Sequence, residues 1–214
     1  MAEGVLAIQP QFDDARQQRA ASNLGIWIFL ATEVLFFGVL FAAYAITRIR
    51  FPVAFAQGGQ LTDIALAGTN TAVLLTSSLS MALAVHAASR GSKRTLVLLL
   101  WTTVLLGCAF LAIKGVEYRE DYLEHLVPTL GFAHPGPGES QVELFFYLYF
   151  LITGVHALHV LIGIACIATI AVMASRGRFS PSYFTPVDVT GLYWHLVDVI
   201  WLFVFPALYL VSRS

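Results

Sequence analysis

Five apolar stretches, at roughly residues 24–46, 64–88, 95–113, 142–174 and 187–211, take up most of this 214-residue chain. A bilayer crossing needs about 20 mostly apolar residues at ~1.5 Å of rise each, and every stretch meets that length. Lipid offers no partner to an unpaired backbone N–H or C=O, so each segment is expected to be helical. The fold class that follows is all-α: a polytopic membrane protein, a bundle of five transmembrane helices. The fourth stretch is longer than a ~30 Å hydrocarbon core requires, so it must tilt or project beyond the membrane.

Composition supports this and excludes other classes. Hydrophobic residues make up 58% and charged residues 12%, with a mean hydropathy of +0.76, which a soluble domain rarely reaches. Twelve Lys and Arg balance 13 Asp and Glu for a net charge of −1, which leaves no basic face for nucleic acid. Cys108 and Cys166 lie far apart inside apolar segments and read as small buried hydrophobes. Residues 1–21 carry Asp13, Asp14, Arg16 and Arg19 and read as a polar N-terminal tail, ahead of a membrane domain over 22–214.

Loop charges orient the chain. Arg16, Arg19, Arg90, Lys93, Arg94, Arg176 and Arg178 fall on the N-terminal side, against Arg48, Arg50, Lys114, Arg119 and Arg213 opposite. The positive-inside rule then places the N-terminus in the cytoplasm and the C-terminus outside. Glu117, Glu120, Asp121, Glu124, Glu139 and Glu143 cluster around the third connection, on the external side. Its Pro and Gly punctuation, Phe132 to Gly138, marks an ordered loop.

Polar residues inside the spans are the candidates for function. Glu33 lies near the middle of the first span, where an ionisable group costs at least ~2.5 kcal/mol to insert. It serves either as a carboxyl that donates a hydrogen bond or exchanges a proton, or as a structural tie to a neighbouring helix. In the second span Thr69, Asn70, Thr71, Thr76, Ser77, Ser78 and Ser80 form a face for close packing and interhelical hydrogen bonds. His86, at its cytoplasmic end, reads as solvated. His156 and His159 share one face of the fourth span. Too few other ligands converge for haem or copper, so they read as interhelical hydrogen-bonding groups and not as metal ligands. His195 and Asp198, three apart on the fifth span, are expected to satisfy each other.

Five motifs in order resemble subunit III of the haem-copper respiratory oxidases, the cytochrome c oxidase subunit 3 family. They are Thr32 to Phe37, Asn70 to Leu75 with His86 following, Lys114 to Tyr118, Gly154 to Gly163, and Tyr193 to Trp201. The similarity runs from about residue 22 to 211 and matches the short, five-helix bacterial form, which lacks the two N-terminal helices that wall a lipid cleft in longer members. The resemblance implies a non-catalytic subunit with no redox centre of its own, haem and copper residing in partner subunits. It implies contact with subunit I, and with subunit II and small subunits or a larger respiratory supercomplex. It further implies bound phospholipid, support of proton uptake, and a bacterial cytoplasmic (inner) membrane location. Glu33 corresponds to the family's carbodiimide-reactive buried carboxyl; Asn70, His86, Glu117, His156, His159, His195 and Asp198 would be interhelical or subunit-contact residues. Cytochrome c is the expected electron donor, leaning on glutamate at position 33. A quinol oxidase subunit, a nitric oxide reductase accessory chain, and a small proton channel or transporter built on Glu33, His195 and Asp198 are the competing readings.

Overall fold

The computed structural model describes residues 11–129, 132–133 and 138–211. His134 to Pro137 of the punctuated loop, and Arg213 of the charge count, lie outside the described residues. The elements are α1 (Ala15–Arg50), α2 (Pro52–Leu61), α3 (Ile64–Ser89), α4 (Lys93–Leu123), α5 (Glu139–Ser175) and α6 (Thr185–Phe205), the last running on into a π-turn, Pro206–Leu210. Five of these helices are long and apolar enough to cross a membrane. Strand pairing among the described residues is limited to one bridge between Ser180 and Tyr183.

Helix ends follow local chemistry. Asp14 caps α1 by accepting the Gln17 N–H at 2.7 Å, so the helix begins inside the stretch that composition marks as a tail. Pro52 disfavours a helical residue before it, and α1 stops at Arg50. The same proline then opens α2, where its missing N–H costs nothing. This short helix was hidden in the sequence because ten residues with two glycines cannot span a bilayer. Gly58 explains its position: a Cβ there would lie 2.4 Å from the Phe145 ring, so a side chain would hold α2 off α5. Asp63 caps α3, accepting from the Ala65 and Leu66 N–H groups at 2.7 and 3.0 Å.

Helices α3, α4, α5 and α6 pack around one core, with α3 against α4 and α6, and α5 against α4 and α6. Phe110, Tyr149, Trp194, Trp201 and Tyr209 are buried at its centre. Helix α1 leans on α6 and touches α5 only lightly. Its far end is pinned where Pro206 interrupts the α6 hydrogen-bond ladder. There the Tyr44 hydroxyl donates to the Ala207 carbonyl at 2.6 Å, and Arg48 donates to that of Val211 at 2.7 Å. Carbonyls loosened by the π-turn thus find partners within the protein.

Cys108 and Cys166 depart from expectation. Both thiols are exposed on the outer face of the bundle, because apolar residues of a membrane helix face lipid as readily as core.

Candidate functional site

The polar face of α3 receives ring nitrogens from α6. Trp194 Nε1 donates to Ser77 Oγ at 3.1 Å and Trp201 Nε1 to Thr71 Oγ1 at 3.0 Å, while Ser78 Oγ meets His195 Nδ1 at 2.8 Å. Ser80 reaches the other way, donating to the Leu99 carbonyl of α4 at 3.0 Å. Thr69 and Thr76 instead bond their own helix.

The expected His195–Asp198 pair does not form. His195 turns across to Ser78, and the Asp198 carboxyl, 4% exposed and beside the same serine, has no well-formed hydrogen bond among the described residues. A hydroxyl on the facing helix competes successfully with a neighbour one turn away. Asn70 is fully buried, and among the described residues neither of its amide atoms has a hydrogen-bond partner. His86 is exposed at the end of α3.

The two histidines of α5 part company. His156 is fully buried, 5.1 Å from the Trp201 ring and 5.6 Å from that of Phe110, and neither ring nitrogen has a hydrogen bond among the described residues. Aromatic packing replaces the interhelical bond expected of it. His159 does bridge helices: its Nε2 lies 3.0 Å from Glu33 Oε2, and its Nδ1 lies 2.8 Å from the Val155 carbonyl oxygen. A carbonyl can only accept, so Nδ1 carries a hydrogen. The Glu33 contact therefore holds a single proton, shared as carboxylic acid to imidazole or as carboxylate to imidazolium. Phe37 covers the imidazole edge-on at 5.2 Å.

A second polar centre was largely missed in the sequence. Lys114, Glu117 and Asp121, counted there as charges of an external connection, lie on one buried face of α4, which extends past the apolar window to Leu123. Lys114 Nζ is 3.0 Å from Glu117 Oε2 and donates to the Tyr149 and Tyr209 hydroxyls at 3.1 and 2.6 Å. The spacing 114, 117, 121 was the available signal, since these positions stack on one helical stripe.

One pocket, of about 450 Å³, opens between the start of α1 and the start of α6. Ile26, Phe29 and Val189 form its apolar wall, and Gln18, Arg19 and Ser22 its polar mouth. Arg19 also donates to the Ser182 carbonyl. Among the described residues no three His, Cys, Asp or Glu side chains come together in a way that could hold a metal ion.

A family model described as cytochrome c oxidase subunit III matches residues 13–125 and 137–213. The chain belongs to that family. The quinol oxidase subunit 3 of Bacillus subtilis (strain 168) is 33% identical over 193 residues, covering 88% of this chain and 86% of the relative. The cytochrome c oxidase subunit 3 of Thermostichus vulcanus is 30% identical over 202 residues, covering 94% and 92%. That of Corynebacterium diphtheriae is 31% identical over 209 residues, covering 94% and 96%.

As subunit III of a haem-copper oxidase, the chain is a membrane component of an oxidoreductase complex and associates with other oxidase subunits. The five motifs that carry the resemblance now have physical content. The last of them, through Trp194, His195 and Trp201, ties α6 to the polar face of α3. The first and fourth meet at Glu33 and His159.

Proposed function

We propose that this subunit III is a non-catalytic, structural component of a proton-pumping terminal oxidase that reduces oxygen to water with electrons from cytochrome c. It sits in a bacterial cytoplasmic membrane with its N-terminus inside and its C-terminus outside. The observation that carries the reading is the family match along nearly the whole chain. Support comes from the use of the motif side chains: Trp194, Trp201, His159 and His195 bond across helices. In this reading the chain has no redox centre, haem and copper belong to partner subunits, and the main contact is with the subunit that holds them. Residues 22–214 act as the unit, and Glu33 with His159 supports proton uptake at the seam between α1 and α5. Asn70, His86, Glu117, His156, His195 and Asp198 are helix- or subunit-contact positions. The pocket behind Arg19 holds phospholipid, its guanidinium on the phosphate and Phe29 against an acyl chain.

A second reading, a quinol-fed oxidase, is favoured by the Bacillus subtilis relative, whose name specifies quinol. Purifying the native complex through a tag on this chain tests both. A co-purified haem-bearing subunit and rapid oxidation of reduced cytochrome c are expected. Quinol oxidation with indifference to cytochrome c would transfer the proposal to the second reading, and a haem band from this chain alone would end the non-catalytic assignment. Liposomes containing only this chain are expected to show no specific proton flux.

A further inference from the structure

Tyr149 of α5 and Tyr209 of the π-turn close over Lys114, Glu117 and Asp121. All five are buried, at 5% exposure or less. Hydrogens around this ring can be counted. Lys114 Nζ donates to Tyr209 and Tyr149 and forms an ion pair with Glu117 Oε2 at 3.0 Å. Tyr209 gives its hydrogen to Glu117 Oε1 at 2.6 Å. Tyr149 has one hydrogen and two carboxyl oxygens in reach, Glu117 Oε1 at 2.7 Å and Asp121 Oδ2 at 3.1 Å. It can serve one of them. With the hydrogen on the shorter contact, the Asp121 oxygen faces the phenol oxygen with nothing between them unless Asp121 is itself protonated. A protonated Asp121 donates to the free lone pair of the Tyr149 oxygen, and both carboxyl contacts of Tyr149 then hold a hydrogen. Charge points the same way. Lys114 and Glu117 cancel, so an ionised Asp121 would leave one uncompensated charge on a side chain only 5% exposed.

Asp121 also reaches water. It lines a pocket of about 340 Å³ together with Thr62, Asp63, Glu117, Glu120 and Glu124. Asp63, Glu120 and Glu124 are exposed there and raise the local concentration of cations.

We propose that Asp121 is a proton-binding site, with one exchangeable proton held between its carboxyl and the Tyr149 oxygen and traded with water in this acidic pocket. On release the Asp121 O–H bond breaks, the proton passes to pocket water, and a carboxylate stays behind. Tyr149 keeps its own O–H bond and swings that hydrogen from Glu117 to Asp121. The site thus switches between two hydrogen arrangements on one set of heavy atoms. The groups facing Asp121 are Lys114, Glu117, Tyr118, Glu120 and Glu124 from α4, Tyr149 from α5, Tyr209 from the π-turn, and Asp63 at the start of α3. Helix α2 contributes no titratable side chain, and Glu143 of α5 is turned to the Thr129 N–H at 3.2 Å. This site is independent of the electron donor and of the Glu33–His159 contact.

Infrared difference spectra of the assembled complex, recorded as pH is raised, test the proposal. A carboxylic acid C=O band is expected to disappear with rising pH, to move when aspartate carboxyl carbons are ¹³C-labelled, and to be lost in Asp121→Asn. Tyr149→Phe should shift the band without removing it, and Glu120→Gln should leave it in place. A band that survives Asp121→Asn, or that vanishes in Glu120→Gln, would overturn the assignment. If Asp121→Asn does not assemble, Tyr149→Phe decides, and an unshifted band there is equally fatal.

Discussion

Glu33 and His159 meet across two helices with 17% and 15% of their side chains exposed, whereas Lys114 and Glu117 meet within α4 at 3% and 1%. The difference follows from the elements that carry them. The most apolar window of α1 is 11% buried within the chain, against 44% for the fifth span, so α1 is a leaning helix on a closed bundle. One polar contact is an adjustable joint at the edge of the bundle, partly exposed. The other is a buried ring in which Lys114, Tyr149 and Tyr209 are closed off, while Glu117 and Asp121 border a single acidic pocket. Burial therefore decides what each can do: the joint can change its neighbours, while the ring holds the ends of α4, α5 and the π-turn in register.

Removing the cation of the ring should have the largest effect. Lys114→Met leaves Glu117 facing two tyrosines with its charge uncompensated, and breaking a buried ion pair in this way costs about 3–5 kcal/mol. Denaturant titration of the purified subunit in detergent should show that loss, with much less folded protein recovered. A loss below about 1 kcal/mol, the scale of an exposed pair, would mean that water enters the ring and that the contrast with Glu33 is false.

Glycine substitutions sharpen the same contrast through packing. At Gly163 of α5 an added Cβ would lie 2.7 Å from the buried Trp194 ring, which Ser77 holds in place, so Gly163→Ala should cost about 1–3 kcal/mol. Gly38 of α1 has nothing within 4 Å of the same added atom. Gly38→Ala should be neutral, or stabilising by up to ~1 kcal/mol through helix propensity alone. Thermal unfolding of the pair checks both signs, and equal destabilisation would show that α1 is packed as tightly as the core.

What the sequence revealed and what it hid divides along physical lines. The five spans were legible because lipid admits only helices there and their length is set by the bilayer. Glu33 was legible because a carboxylate in such a run is costly. Its partner was not, since His159 and His156 look alike by spacing, and only the lean of α1 separates the one that bridges from the one that stacks on Trp201. Asp198 misled because helical periodicity names intrahelical neighbours and is blind to Ser78 on the facing helix. The Lys114 ring was hidden by the end of the apolar window: charged residues one turn beyond it look like loop, although α4 carries them inward. The proton reading of Asp121 needed distances, because it rests on counting hydrogens.

The smallest effect belongs to Glu33. In Glu33→Gln the amide can still donate a hydrogen to His159 Nε2, so the bond between α1 and α5 survives while the carboxyl is gone. A joint that is partly exposed and loosely packed should lose no more than about 1 kcal/mol, within the range of one net hydrogen bond. Glu33→Leu deletes the bond as well and should cost about 0.5–1.5 kcal/mol. Haem absorption of the assembled complex should be unchanged in both variants. The two separate a mechanical role from a protonic one: if the contact only ties α1 to the bundle, glutamine should preserve steady turnover and leucine should not. If the proton matters, both should slow proton uptake alike while unfolding separates them. An effect of Glu33→Gln as large as that of Lys114→Met would erase the distinction between joint and ring.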